Sequence, residues 1–213
     1  MTIVKDHMIV DAALQRQIAD RFIAAGIGDV PGRAVHDLGS VEVPGAGLVA
    51  LHLRHAADAI LLDDFDQVVL ITRMHNPGVG LLALPGGFLD TVHGAVEDPL
   101  EAAIREAVEE TGIDEGLLRR VAGVPVGRRL YDRPFDIRVA WNNLPGTQIR
   151  QGDVFGVSTQ GFRFKLPGNL RDLTLQAGDD AKAVQVAKIS SLQGCQFAVP
   201  DHLPLILLAR DIC

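Results

Sequence analysis

A chain of 213 residues with 47% apolar residues, 22 glycines and 11 prolines can bury a core without covalent staples and has the composition of an ordinary globular protein. Its 27 acidic and 20 basic residues leave a formal charge of -7 at neutral pH, which argues against a protein that lives on nucleic-acid backbones. Cys195 and Cys213 make neither a disulfide framework nor a zinc motif, and MTIVKDHMIV, AILL and LILLA are too short in apolar length for a secretory signal or a membrane span, so the expected setting is soluble, reducing and cytoplasmic.

Residues 10 to 25, VDAALQRQIADRFIAA, place Leu14, Ile18 and Phe22 four apart and are followed by Gly26 at a C-cap position, so the spacing predicts a helix. From 27 to 57, short β-branched pieces between Pro and Gly predict an irregular stretch with one or two strands. ADAILLDDFDQVVLITR reads as strand, acidic turn, strand, with Asp63, Asp64 and Asp66 at the bend. The loop MHNPGVG and the extended LLALPGG lead into a helix around EAAIREAVEETGI. After it, VAGVPVGRRLYDRPFDIRVAWNNL predicts two strands around a charged turn, and DVFGVSTQGFRFKL a further strand pair. GDDAKAVQVAKISSL leads into a strand or short helix, and DHLPLILLARDI closes the chain as a helix. Strands before and after a central helix, without regular βαβ spacing, predict an α+β class or a layered α/β/α arrangement with a mixed sheet.

The central helix carries its own start and stop signals. Asp98 can cap it, Pro99 suits the first turn, Glu101 can complete a capping box, and Gly112 offers a left-handed end. At roughly 100° per residue, Leu100, Ile104, Ala107, Val108 and Thr111 share one side, while Glu106 and Glu110 share the other with Glu109 at its margin. Taken alone, that stripe reads as a solvated face with Arg105 and Glu109 as an ordinary i,i+4 pair. The glycine turn LPGG just upstream changes the reading, because backbone without side chains can approach a ligand. Carboxylates on adjacent turns suit Mg²⁺, which takes about six oxygens and keeps positions open for phosphate.

From Glu97 to Ile113 the sequence EDPLEAAIREAVEETGI resembles the Nudix hydrolase signature G-x5-E-x7-R-E-U-x-E-E-x-G-U from its first glutamate onward, with Ala107 a small occupant of the first U. Phe88 to Val96 separate Gly87 from Glu97 where the family has five residues, so FLDTVHGAV reads as an enlarged loop. The resemblance implies a Nudix-like α/β/α sandwich over residues 55–213. It implies Glu106 and Glu110 as principal metal ligands, Glu109 as a ligand or water-orienting carboxylate, and Gly86 as a ligand through its carbonyl, with Mg²⁺ or Mn²⁺ bound. Arg105 and Glu97 would form the salt bridge that positions the helix. The general base is Glu109 or an acid of the distal loop LQAGDDAKAV, where Asp179 and Asp180 stand; Asp180 is the expected one.

The run from ADAILL to LPGGFLD, with the AGDDA turn, resembles the Nudix branch concerned with ADP-ribose and NAD metabolism. The resemblance implies Mg-dependent hydrolysis of a nucleoside diphosphate linked to another moiety, ADP-ribose to AMP and ribose 5-phosphate first. The alternatives are a non-hydrolytic Nudix-like sensor of such a nucleotide, or a hydrolase of nucleoside triphosphates or dinucleoside polyphosphates. GRRLYDRPFDIR supplies Arg129, Tyr131, Arg133 and Arg138 as expected substrate contacts, since arginine forks and an aromatic wall suit a nucleotide diphosphate. In GFRFKL, alternation places Phe162 and Phe164 inside and Arg163 and Lys165 outside. His75 and His93, loop histidines without a partner at metal-site spacing, are left aside. Residues 1–54 are expected to form an N-terminal extension that supports a homodimer.

Overall fold

The computed structural model describes residues 4–5, 7–25, 32–128, 137–178 and 180–212. In chain order its elements are β1 (Val4–Lys5), β2 (Met8–Ile9), α1 (Ala12–Ala24), β3 (Val35–Val43), β4 (Gly47–Leu62), β5 (Gln67–Arg73), β6 (Leu82–Ala83), β7 (Gly86–Phe88), β8 (Thr91–Val92), β9 (Ala95–Val96), α2 (Pro99–Thr111), α3 (Glu115–Val121), β10 (Val124–Arg128), β11 (Ile137–Val139), β12 (Val154–Lys165), β13 (Ala181–Lys188) and α4 (His202–Asp211). The class is α+β with a mixed sheet: strand pairs such as β4 with β5 and β5 with β13 are antiparallel, and the bridge from Leu82 to Phe197 is parallel. No described helix is long and apolar enough to cross a membrane. The chain divides into two compact units, one of Met1–Ala56, Phe88–Asp98 and Arg128–Thr159, the other of Ala57–Gly87, Pro99–Gly127 and Gln160–Cys213. The expected extension over 1–54 therefore shares its unit with two later segments.

In the first unit α1 begins where Asp11 accepts a hydrogen bond from Leu14 N at 2.9 Å. Its spaced apolar residues Leu14, Ile18 and Phe22 are buried and pack with Ile9, Val41, Leu51, Leu53 and Val154. Gly26 lies outside the described residues. Of the stretch from 27 to 57, residues 27–31 lie outside the described residues, and the expected strands are β3 and β4, a long antiparallel hairpin from Val43↔Gly47 to Val35↔Arg54. Gly39, at φ 82°, sits inside β3 next to the register shift between Asp37 and Ser40; a bulge glycine reads in sequence as a break.

The enlarged loop is a second, small hairpin. β8 and β9 pair across His93 and Gly94, whose φ of 52° and 82° are the two positive values of a type I′ turn. At its base Glu97 N donates to Asp90 O at 2.9 Å and Asp90 N donates to Glu97 Oε2 at 3.1 Å. The extra residues thus leave and return at one place.

In the second unit the acidic turn between β4 and β5 is held by buried Asp63, whose Oδ1 accepts from Phe65 N and Gln67 N and whose Oδ2 accepts from Leu170 N. β5 is buried on both faces: Val68 and Leu70 join Ile60, Leu62 and α4 residues Ile206 and Ala209 in one core, and Ile71 joins Ala83 and Ala181 in another. β13 runs antiparallel along β5, and α4 is the expected closing helix.

DVFGVSTQGFRFKL forms one strand, β12, and not the expected pair. Its two glycines are close-approach points and not turns. A Cβ at Gly156 would lie 2.3 Å from the Phe22 ring in the first unit, and one at Gly161 3.2 Å from Ile60 Cδ1 in the second. Phe162 and Phe164 are buried as alternation predicts, Arg163 donates to the Ile212 carbonyl, and Lys165 Nζ donates to Asp63 O at 2.8 Å. Phe164 is fully buried. We expect Phe164→Ala to lower the unfolding free energy by about 3–5 kcal/mol, seen as a lower urea midpoint at unchanged denaturant slope.

Candidate active site

The extended run after β6 ends in Pro85, Gly86 and Gly87, and Ala59 N on β4 donates to Pro85 O at 2.8 Å. A Cβ at Gly86 would lie 2.2 Å from Asp58 Oδ1, and one at Gly87 would lie 2.2 Å from Glu106 Oε1. The expected glycine turn is thus the start of strand β7, and its two glycines let that strand lie directly against carboxylates. Gly86 N also donates to Glu110 Oε2 at 2.9 Å.

α2 starts at Pro99 and ends before Gly112, whose φ is 66° and whose N–H reaches Val108 O at 2.9 Å, as the start and stop signals predict. Glu101 is gripped by both terminal nitrogens of Arg119 on α3, at 3.1 and 2.7 Å. Ile104, Ala107 and Thr111 are buried as expected. The carboxylate side is buried too. Ala103, Ala107 and Glu110 are inside and the Glu106 side chain is 14% exposed, an i, i+3, i+4, i+7 stripe. The solvated-face reading fails for these two glutamates and holds only for Glu109, 43% exposed at the margin.

Arg105 holds two of the three carboxylates, with Nη1 at 2.7 Å from Glu106 Oε1 and 3.1 Å from Glu109 Oε2. Glu97 belongs to the first unit, where it closes the base of the small hairpin. Burial pushes Glu110 up to about 8, the Gly86 N–H and Arg73 oppose the shift, and Glu106 and Asp58 add to it. Burial also lowers Arg73, against the pull of Glu110, Asp180 and Asp58. A guanidinium and three carboxylates thus act on one another around the glycine turn.

Arg73, Asp58 and His202 of this cluster escaped the sequence reading. Asp58 on β4 is buried, and its Oδ2 has no hydrogen-bond partner among the described residues. Its near neighbour is His202 at the start of α4, with Nε2 at 3.5 Å. His202 Nδ1 accepts from Leu84 N at 3.0 Å, which leaves Nε2 as the ring nitrogen that faces Asp58. The available signal was a lone acid inside the apolar strand ADAILL, where a buried carboxylate needs a reason.

The distal loop reaches the glutamate helix. Gln176 N donates to Thr111 O at 2.8 Å and Gly178 N to Glu110 O at 3.3 Å, across the last turn of α2. Asp180 follows, exposed, with Oδ1 3.4 Å from Nε2 of His75, one of the histidines left aside. Asp179, Arg129, Tyr131 and Arg133 lie outside the described residues. Arg138 stands on β11 in the first unit, close enough to Arg54 to lower its pKa.

Among the described residues no three acidic, histidine or cysteine donors converge on one point. Glu106 and Glu109 turn to Arg105, and Glu110 to Gly86 N. The residues nonetheless fit a hard divalent cation, since the donors are oxygens, one buried carboxylate oxygen lacks a hydrogen bond among the described residues and another carboxylate is driven toward protonation.

Residues 52–155 match the model of the NUDIX domain. Over 63 residues the chain is 43% identical to an ADP-ribose pyrophosphatase of Methanocaldococcus jannaschii, covering 30% of this chain and 34% of that protein. Over 117 residues it is 30% identical to a putative 8-oxo-dGTP diphosphatase of Bacillus subtilis, covering 54% and 67%. A bifunctional NMN adenylyltransferase/ADP ribose pyrophosphatase from Francisella tularensis, crystallised with AMP and a manganese ion, matches at 24% identity with a TM-score of 0.47, over 74% of this chain and 41% of that one. The chain spans only about a third of the length of the first of these curated relatives.

Without metal, Glu110 releases its proton near 8 when folded and near the ordinary 4.5 when unfolded. Between these values the folded state binds more protons, so this contribution is fully present below 4.5, falls as pH rises and is gone above 8. In EDTA, the stability of the wild type relative to Glu110→Gln should drop by roughly a few kcal/mol between about pH 5 and about pH 8.5. Urea unfolding across that range checks it, and a constant difference would contradict it.

Proposed function

The chain belongs to the Nudix family, and from that premise we propose that it uses a divalent metal ion to hydrolyse a nucleoside diphosphate linked to another moiety, ADP-ribose first, to AMP and ribose 5-phosphate. The observation that carries this reading is the stripe of half-buried Glu106 and buried Glu110 facing Gly86 and Gly87 of β7. The ADP-ribose pyrophosphatase of M. jannaschii supports the choice of substrate.

Glu106 and Glu110, with Glu109 and the Gly86 carbonyl, would hold the ion, Mg²⁺ or Mn²⁺. When bound, it supplies neutralisation of the diphosphate and a water acidic enough to act as hydroxide near neutral pH. The chain's own residues do the rest. Gly86 N–H and the buried surroundings orient Glu110, while Arg105 aligns Glu106 and Glu109. Arg73 offers a half-buried guanidinium to the substrate's phosphates. Water oxygen bonds to one phosphorus, the bond from that phosphorus to the bridging oxygen breaks, and the other phosphate leaves. The proton released from the water goes to Glu109 or to Asp180, which His75 orients. Residues 1–54 support a homodimer, and the protein works in the cytoplasm.

Similarity to a putative 8-oxo-dGTP diphosphatase favours a second reading in which the substrate is a nucleoside triphosphate. A substrate panel with Mg²⁺ or Mn²⁺, followed by release of AMP, pyrophosphate and phosphate, separates the two. We expect AMP from ADP-ribose, and a loss of kcat of about a hundredfold or more in Glu106→Gln and in Glu110→Gln. Binding of ADP-ribose without turnover would indicate a sensor instead. In pH-rate profiles, the base is whichever of Glu109→Gln and Asp180→Asn removes the ascending limb.

A further inference from the structure

The first unit contains a cavity of about 390 Å³ whose lining includes Arg33, Arg54, Asp90, Thr91, Gly146 and Gln148. That is the size of a small-metabolite site. Arg54 comes from β4, and its Cζ lies 3.4 Å above the centroid of the Phe88 ring, so one face of the guanidinium is stacked. Among the described residues no hydrogen bond or ion pair engages the Arg54 guanidinium, although it carries five N–H donors in a fixed fork. Burial and the charge of Arg138 pull its pKa down to about 10, against the smaller opposing effect of Asp90. Arg33 brings a second guanidinium to the same cavity, and Thr91 and Gln148 add neutral hydrogen-bonding groups.

A packing role alone does not account for this choice of residue. Methionine would cover the Phe88 ring with a stem of similar length and would carry no charge into a partly buried place beside another arginine. A guanidinium that is stacked on one face, pressed by a like charge and open at its donors is what a phosphate group would relieve. We propose that the cavity of the first unit binds a small phosphate monoester, anchored by the Arg54 fork and flanked by Arg33.

The test uses the full chain in EDTA on a Glu110→Gln background, which suppresses turnover and metal-dependent binding, and it stands whether or not the proposed hydrolysis holds. Inorganic phosphate, ribose 5-phosphate, AMP and unphosphorylated ribose are titrated by calorimetry, with thermal melting in parallel. Phosphate-bearing probes should bind and raise the melting temperature, and ribose should not. Comparison of the three phosphate arms shows whether the free ion or an organic monoester is preferred. Arg54→Met should weaken binding at least about tenfold while leaving the ligand-free melting temperature equal or higher. Arg54→Lys, which keeps the charge but not the fork, should fall between. Equal affinity in wild type and Arg54→Met, or no binding of any phosphate probe, overturns the proposal. So does a ligand-free Arg54→Met that melts well below wild type together with unchanged binding by Arg54→Lys, which would make Arg54 structural.

Discussion

Gly86 and Gly87 of β7 lie so near Asp58 and Glu106 that a methyl group at either glycine would overlap a carboxylate oxygen. This contact organises the second unit. It requires β4 to present an acid where a buried strand would otherwise present an alkyl group, and it requires α2 to approach with its glutamates inward. Ala102, Ala103 and Ala107 on that helix are all buried, and small side chains are what allow a helix to come so near its neighbours. His202 then lies 3.5 Å from Asp58, so the closing helix supports the glycine turn from beyond the acid.

Such an arrangement opposes folding in the metal-free chain. Carboxylates in mutual view are held out of water, and Glu110 responds by moving far above the ordinary range. The surrounding structure offsets this with hydrogen bonds that do not depend on charge state, among them those from Gln176 N and Gly178 N to the last turn of α2. Strained electrostatics within a well-packed frame mark a functional place more than a stabilising one.

Much of this was legible in the sequence. Periodicity found α1, α2 and α4, because their apolar spacing and end signals are local. The acidic turn after β4 was legible for the same reason. Glycine misled in β12, where it marks a close approach that does not differ from a turn signal until the partner ring is known. The inward face of Glu106 and Glu110 could be suspected only from the neighbouring glycines, since a helical wheel cannot say which side meets the core. Asp58 and Arg73 come from the consecutive strands β4 and β5 and His202 from the closing helix, and no spacing rule joins the three. Arg54 was passed over within LHLRHA, where an arginine in a strand reads as an outward-facing residue.

The hairpin of β8 and β9 is tied at its root by Asp90 and Glu97. Residues spliced in or trimmed at His93 and Gly94 would lengthen or shorten a finger without altering the span between its two anchors. Evolution can therefore vary the tip while the flanking segments keep their positions, and an experimenter can mount a label or epitope there on the same grounds.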